Sequence, residues 1–192
     1  RGIKILMAAQ KLFLEHGYDK TSLEMIINES GGSRRNIYSE FGNKEGLLVA
    51  VMREQAKAQV GTLLDINYAL PPQQALSEVC EKFLRGMLSE TLVGLFRLVS
   101  NIVPKIPEVG EMIYHYGPLT GCKPIGDYLA FLQEQGVLQV DDFEFASKLL
   151  IEMIKGRLHL RAILVPKESI TDAEIKEHVD KTVSLFLKAY AK

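Results

Sequence analysis

The stretch Thr21–Gly46, TSLEMIINESGGSRRNIYSEFGNKEG, decides the fold. Thr21 with Glu24 three residues on has the form of a capping box that opens a short helix. Gly31-Gly32 stops that helix, and Gly31 can take a positive φ in a tight turn at little cost. Ser33 is placed to cap a third short helix ending near Phe41-Gly42, and Asn43 to cap a fourth. Two short helices across a glycine turn make a helix-turn-helix layout. Ile26, Ile37 and Phe41 fall on the inner side, against Leu12 and Phe13 of the preceding helix. Ser33, Arg34, Arg35, Asn36, Ser39 and Glu40 are left outward on the third helix. Arginine can bond guanine through two parallel hydrogen bonds, and asparagine can do the same with adenine. Thr21, Ser22, Tyr38 and Lys44 are placed to bond phosphate oxygens, Lys44 at a helix N-terminus that favours anions. The partner implied by this surface is double-stranded DNA.

Upstream, residues 3–16 repeat apolar residues at helical spacing and Gly17 ends the run. Downstream, the fourth helix carries Leu47, Leu48, Val51 and Met52 and is expected to run from residue 44 to about 65. Pro71-Pro72 starts a fifth helix. Residues 73–101 read as two helices joined near Ser89-Glu90-Thr91, and residues 108–116 as a short one. A further helix begins around Pro124 and ends at Gly136. Asp141 and Asp142 open a long helix to about Leu164, apolar nearly all round and so buried on more than one side. A second capping box, Thr171 to Glu174, opens the last helix, with Ile175, Val179, Val183, Phe186 and Tyr190 on one stripe. No period-two pattern or internal repeat interrupts this series. The expected class is all-α with about nine or ten helices. The division expected is a three-helix DNA-binding domain over residues 1–46 and a helical body over 47–192.

Composition narrows the classes. The chain is 47% hydrophobic over 192 residues, which suffices for a sizeable core. Residues 1–60 hold nine Lys and Arg against seven Asp and Glu, and the remainder is acidic on balance. That is the sign expected of a DNA-reading head on an acidic body. No apolar run is long enough to span a membrane. Cys80 and Cys122 lack metal or disulfide spacing and suit a reducing cytoplasm as small buried filler. No HExxH, G-x-S-x-G or phosphate-cradling glycine loop points to an enzyme, and no metal or cofactor is expected.

Residues 8–46 resemble the TetR family of transcriptional regulators through Gly31, Ser33, Arg34, Ile37, Tyr38, Phe41, Gly42, Lys44 and Glu45. The resemblance implies phosphate contacts by Tyr38 and Lys44 and base reading from the third helix. Ile27, Gly32 and Glu40 depart from its usual residues, a small Ala, a Val and an aromatic or His. Residues 95–118, and the stretch from Val140 to Leu164, resemble the C-terminal domain of members related to efflux and quorum-signalling regulators. That implies a homodimer built on the last two helices, for which Ile154, Leu158, Val179, Val183, Phe186 and Tyr190 are the candidates. It also implies a small-molecule effector site among the middle helices, with Phe83, Met87, Phe96, Arg97, Tyr114, His115, Tyr128 and His159 as candidate lining for a mostly apolar ligand. The expected function is a repressor released from a near-palindromic operator. A helical protein-interaction module, or an activator with no ligand, is the alternative.

Overall fold

The structure, a computed structural model, describes residues 2–192. Its helices are α1 (Gly2–His16), α2 (Leu23–Ser30), α3 (Arg34–Phe41), α4 (Lys44–Thr62), α5 (Pro72–Met87), α6 (Glu90–Ile102), α7 (Pro107–Tyr114), α8 (Lys123–Glu134), α9 (Phe143–Leu164) and α10 (Asp172–Ala189). A π-helical turn, His115–Leu119, follows α7. Apart from one isolated antiparallel bridge, Leu138 to Ala191, no β-structure occurs among the described residues. None of their helices is long and apolar enough to cross a membrane.

The chain forms two compact units. The first takes residues up to Lys57 together with Glu90–Tyr116. Its core joins Ile5, Leu12 and Phe13 of α1 to Ile26, Ile37, Leu47 and Leu48, and then to Leu95, Val99 and Val109 of α6 and α7. The second takes Ala58–Ser89 and Gly117–Lys192. There Leu76 and Leu84 of α5, Ile125 and Leu129 of α8, Leu150 and Ile154 of α9, and Val179 and Val183 of α10 share one core. The packing therefore differs from a cut at residue 46. The amphipathic stripes of α6 and α7 are legible in the sequence, but a stripe does not say which core receives it.

Most helix ends follow from the residues there. Asp142 caps α9 by accepting from Phe145 N–H at 2.8 Å. Asn43 accepts from Gly46 N–H at 2.8 Å at the start of α4, and α10 has the expected capping box between Thr171 and Glu174. Two features were not foreseen. The fourth helix stops at Thr62 rather than near residue 65. The ninth bends at Gly156, whose φ of 40° and ψ of −146° lie outside helical geometry. A bend there leaves carbonyls of the preceding turn without their helical partners. The His178 ring of α10 supplies one, its Nε2 lying 3.2 Å from Met153 O and 2.9 Å from Ile154 O. Both oxygens are acceptors, so Nε2 carries the proton.

Candidate nucleic-acid interface

The glycine turn is built as its sequence demands. Gly31 closes α2 in the left-handed region at φ 67°, and its N–H donates to Ile27 O. Ser33, extended at φ −127°, accepts from Asn36 N–H through its hydroxyl and starts α3. Gly42, at φ 79°, ends α3 by donating to Tyr38 O. Ile26 and Ile37 are fully buried on α1. Ser33, Arg34, Arg35, Tyr38, Ser39 and Glu40 are exposed, and Asn36 is half-buried. Tyr38 keeps 52% of its surface in solvent, an aromatic ring left outside while its neighbour Ile37 is wholly inside.

Other members of the predicted set turn inward. The first helix-turn-helix helix is capped by Ser22, whose hydroxyl accepts from Met25 N–H at 3.2 Å, not by a Thr21–Glu24 box. Thr21 is 1% exposed. Its hydroxyl donates towards Gly17 O at 2.7 Å and Leu12 O at 3.1 Å, so the side chain fastens the end of α1 and is withdrawn from any phosphate. Lys44 is half-buried. Its ammonium donates to Tyr18 O and Thr21 O, both at 2.9 Å, and sits 4.2 Å from the centre of the Tyr18 ring. Two of its three protons thus bind the α1–α2 link to the start of α4. Burial, with Glu45 and Asp19 near, pushes the Tyr18 phenol up to about 12.

Carboxylates organise the remaining charge. Arg34 forms an ion pair with Glu24 across the turn, and Lys11 of α1 pairs with Glu29 at 2.6 Å. Glu40 lies against Gly2 of α1. At Gly32 a side chain would meet Ser30 Oγ at 3.1 Å and Ile5 at 3.5 Å. The Ile5 distance is ordinary contact and the Ser30 one is tight, while half-buried Ile27 packs against the same core as Ile5.

Residues 5–51 match the family described as bacterial regulatory proteins, tetR family, and residues 74–192 match the C-terminal domain of AefR-like transcriptional repressors. The chain belongs to the TetR family. Within it, the transcriptional repressor ComR of Escherichia coli is 48% identical over 44 residues, which cover 23% of this chain and 21% of ComR. The repressor AcnR of Corynebacterium efficiens is 33% identical over 87 residues, 45% of this chain and 40% of AcnR. The chain therefore matches only about a fifth and two-fifths of the lengths of these curated relatives. A crystal structure from Mesorhizobium loti has the same fold, with a TM-score of 0.91 at 24% identity, covering 100% of this chain and 96% of that one.

The other predicted residues of this TetR-family chain fare unevenly. Ile154, Leu158, Val179, Val183 and Phe186, expected on the dimer face, are at most 2% exposed within a single chain, and Tyr190 is half-buried and packed on the same core. They pack α9 and α10 into the core of the chain itself. The apolar residues left in solvent on these helices are instead Phe145, Leu149, Leu160, Leu164 and Leu185. The eight effector candidates are also divided. Phe83, Met87, Tyr128 and His159 lie in the second unit, whereas Phe96, Arg97, Tyr114 and His115 belong to the first. Phe96 and Tyr114 are exposed, and Arg97 lines a surface cleft beside α1. Burial holds the His159 imidazole below its usual value, Lys155 adding to the effect. Cys80 and Cys122 are buried free thiols, and burial pushes Cys80 up to about 12.

Proposed function

We propose that the protein is a dimeric, sequence-specific DNA-binding repressor whose third helix enters the major groove. The observation that carries this reading is the outer face of α3. Arg35, Tyr38 and Ser39 stand in solvent on a helix whose inner residue is fully buried and whose two ends are fixed by Ser33 and Gly42. Arg35 and Asn36 read bases, and Tyr38, Ser22, Ser33 and Ser39 hold the backbone. Arg34 joins them by exchanging Glu24 for a phosphate or a base. Lys44 serves chiefly to fix the link between α1 and α2. Such a protein works where the DNA is, in the bacterial cytoplasm, and performs no catalysis.

The dimer face is the exposed row of α9 and α10, Leu149, Leu160, Leu164 and Leu185. Large aliphatic side chains left in solvent on two neighbouring long helices mark an interaction surface. The effector is small and mostly apolar, and its site lies in the second unit by Phe83, Met87 and Tyr128. The Tyr128 ring is fully buried while its hydroxyl has no hydrogen-bond partner. A buried hydroxyl of this kind calls for an acceptor or donor from elsewhere, and a polar atom of an otherwise apolar ligand would supply it. A ligand that prefers the conformation unfit for DNA then releases the operator.

Selection of the purified protein on random duplex DNA tests the reading. Enrichment of one inverted repeat, with affinity falling steeply as salt rises, is the expected result. A folded, dimeric protein that enriches no sequence at low salt would overturn it.

A further inference from the structure

Three aromatic rings meet in the second unit. Tyr128 and Phe131 stand one turn apart on one face of α8, with ring centres 6.0 Å apart and planes inclined by 26°. The third ring is Tyr68, from the connection between α4 and α5, residues 63–71. Its centre lies 4.9 Å from that of Tyr128, edge-on at 81°, and 4.9 Å from that of Phe131. These are the separations of attractive aromatic pairs.

The three rings are not held alike. Tyr128 is wholly buried in the core that also takes Leu63, Phe83 and Leu129, and Phe131 is partly buried against it. Tyr68 keeps 47% of its surface in solvent. Its loop is tied by Asn67, whose side-chain oxygen accepts from Ala69 N–H at 3.0 Å and whose carbonyl accepts from Leu70 N–H at 3.2 Å. Both bonds leave the Tyr68 side chain out, so the ring can swing away while the turn that carries it stays. Next to it the buried Tyr128 hydroxyl has no hydrogen-bond partner. Burial, and then the Tyr68 phenol, hold that hydroxyl above its usual pKa, so it remains a donor. Among the described residues the fully buried polar side chains are Thr21, Ser147 and Thr182, and none of them is charged. A carboxylate or ammonium brought to Tyr128 would be buried without an opposite charge, which is strongly unfavourable.

We propose that Tyr68 is a displaceable stopper, standing where the ring of an uncharged aromatic effector belongs, and that this effector carries a carbonyl or ether oxygen for the Tyr128 hydroxyl. The inference rests on the effector site placed in the second unit above, and adds the chemical class of its occupant and the way in. The incoming ring takes over the two ring contacts that Tyr68 gives up, so that exchange is nearly even and the bond to Tyr128 is the net gain. Apparent affinity is reduced by the fraction of molecules in which the stopper is in place.

The test uses acetophenone, a single ring with one carbonyl, and ethylbenzene, the same shape without it, each added to the full chain and followed by NMR. As acetophenone saturates, contacts of the Tyr68 ring with Tyr128 and Phe131 should fade and contacts from the probe should replace them. Tyr128→Phe removes only an unpartnered hydroxyl and should fold as the wild type does. It should weaken acetophenone about five-fold and leave ethylbenzene unchanged. Tyr68→Ala should strengthen both probes about five-fold. Tyr68 ring contacts that persist at saturation, or weaker binding by Tyr68→Ala, overturn the stopper; the effector site survives that result if the Leu63 and Leu129 methyls still shift. Equal affinity of wild type and Tyr128→Phe for acetophenone overturns the role of the hydroxyl. Methyls of the second unit unmoved at millimolar acetophenone, in wild type and Tyr68→Ala alike, overturn both this inference and the effector site beneath it.

Discussion

The helix-turn-helix and the α9–α10 pair hold their helices in different ways. In the first, helices of eight residues fully bury one apolar side chain each, Ile26 and Ile37. Their positions depend on polar groups at the ends: two serine caps, two left-handed glycines, the Thr21 hydroxyl and the Lys44 ammonium. In the second, helices of 22 and 18 residues carry apolar side chains on an inner and an outer row. Apolar area dominates there, and single polar contacts matter less. Geometry set by hydrogen bonds at fixed points is easily retuned by one substitution. Geometry set by area resists such change and leaves a second face free for another role.

Substitutions on the two rows of α9 and α10 should break this contrast most visibly. Phe186→Glu places a carboxylate in the core and should destabilise the second unit by about 3–5 kcal/mol. Leu160→Glu, at a residue 56% exposed, should leave the fold intact while weakening self-association by at least about 2 kcal/mol. Urea unfolding and sedimentation check the pair; a folded Phe186→Glu monomer would instead restore the expectation that this residue faces the partner.

In the head, Thr21→Val removes a buried hydroxyl shared by two carbonyls and should cost about 1–3 kcal/mol. Thr21→Ser should recover much of that in the same unfolding experiment. Lys44→Met should follow at about 1–2 kcal/mol and weaken binding to every DNA sequence alike. Its salt dependence separates two roles. A positioning lysine leaves the slope nearly unchanged, whereas a lysine spent on phosphate lowers it by about one.

The smallest effect belongs to α10. The Thr171 backbone N–H, then Arg161, hold the Glu174 carboxyl at about 2 in the folded chain. A pKa lowered by folding stabilises above the unfolded value, and that contribution is lost as pH falls from there through about 2. Amides in the first turn of α10 should exchange faster over that interval, and Glu174→Gln should make their exchange indifferent to it.

Where a short helix offers one inner position, as Ile37 does on α3, the remaining polar residues have only outside to go, and the exposed face follows from the letters. Caps at Ser33, Asn43, Asp142 and Thr171 were legible for a similar reason, since each acts within four residues of itself. Thr21 and Lys44 were not. A threonine before a helix and a lysine at a helix start look alike whether they meet solvent or a carbonyl some 9 or 26 residues distant in sequence. On α9 and α10 apolar residues occupy two rows, and periodicity does not distinguish the row facing the chain's own core from the row facing out. The effector candidates fall in both units because aromatic residues of α5, α6 and α7 have similar character wherever they lie, while packing assigned α5 to one unit and the other two helices to the other.

The bend at Gly156 has a consequence for registry. His178 reaches the oxygens of Met153 and Ile154 only because the bend has released them, and it reaches both with one proton. Sliding α10 along α9 by a single residue would strand those carbonyls in a buried seam and carry the imidazole into an intact turn, where every oxygen is already taken. The two helices therefore fit like a notch and its tooth. Their outward leucines stand at fixed spacing, so a second chain docking on them, as proposed above, would meet a finished mould and not a surface that must be ordered on contact.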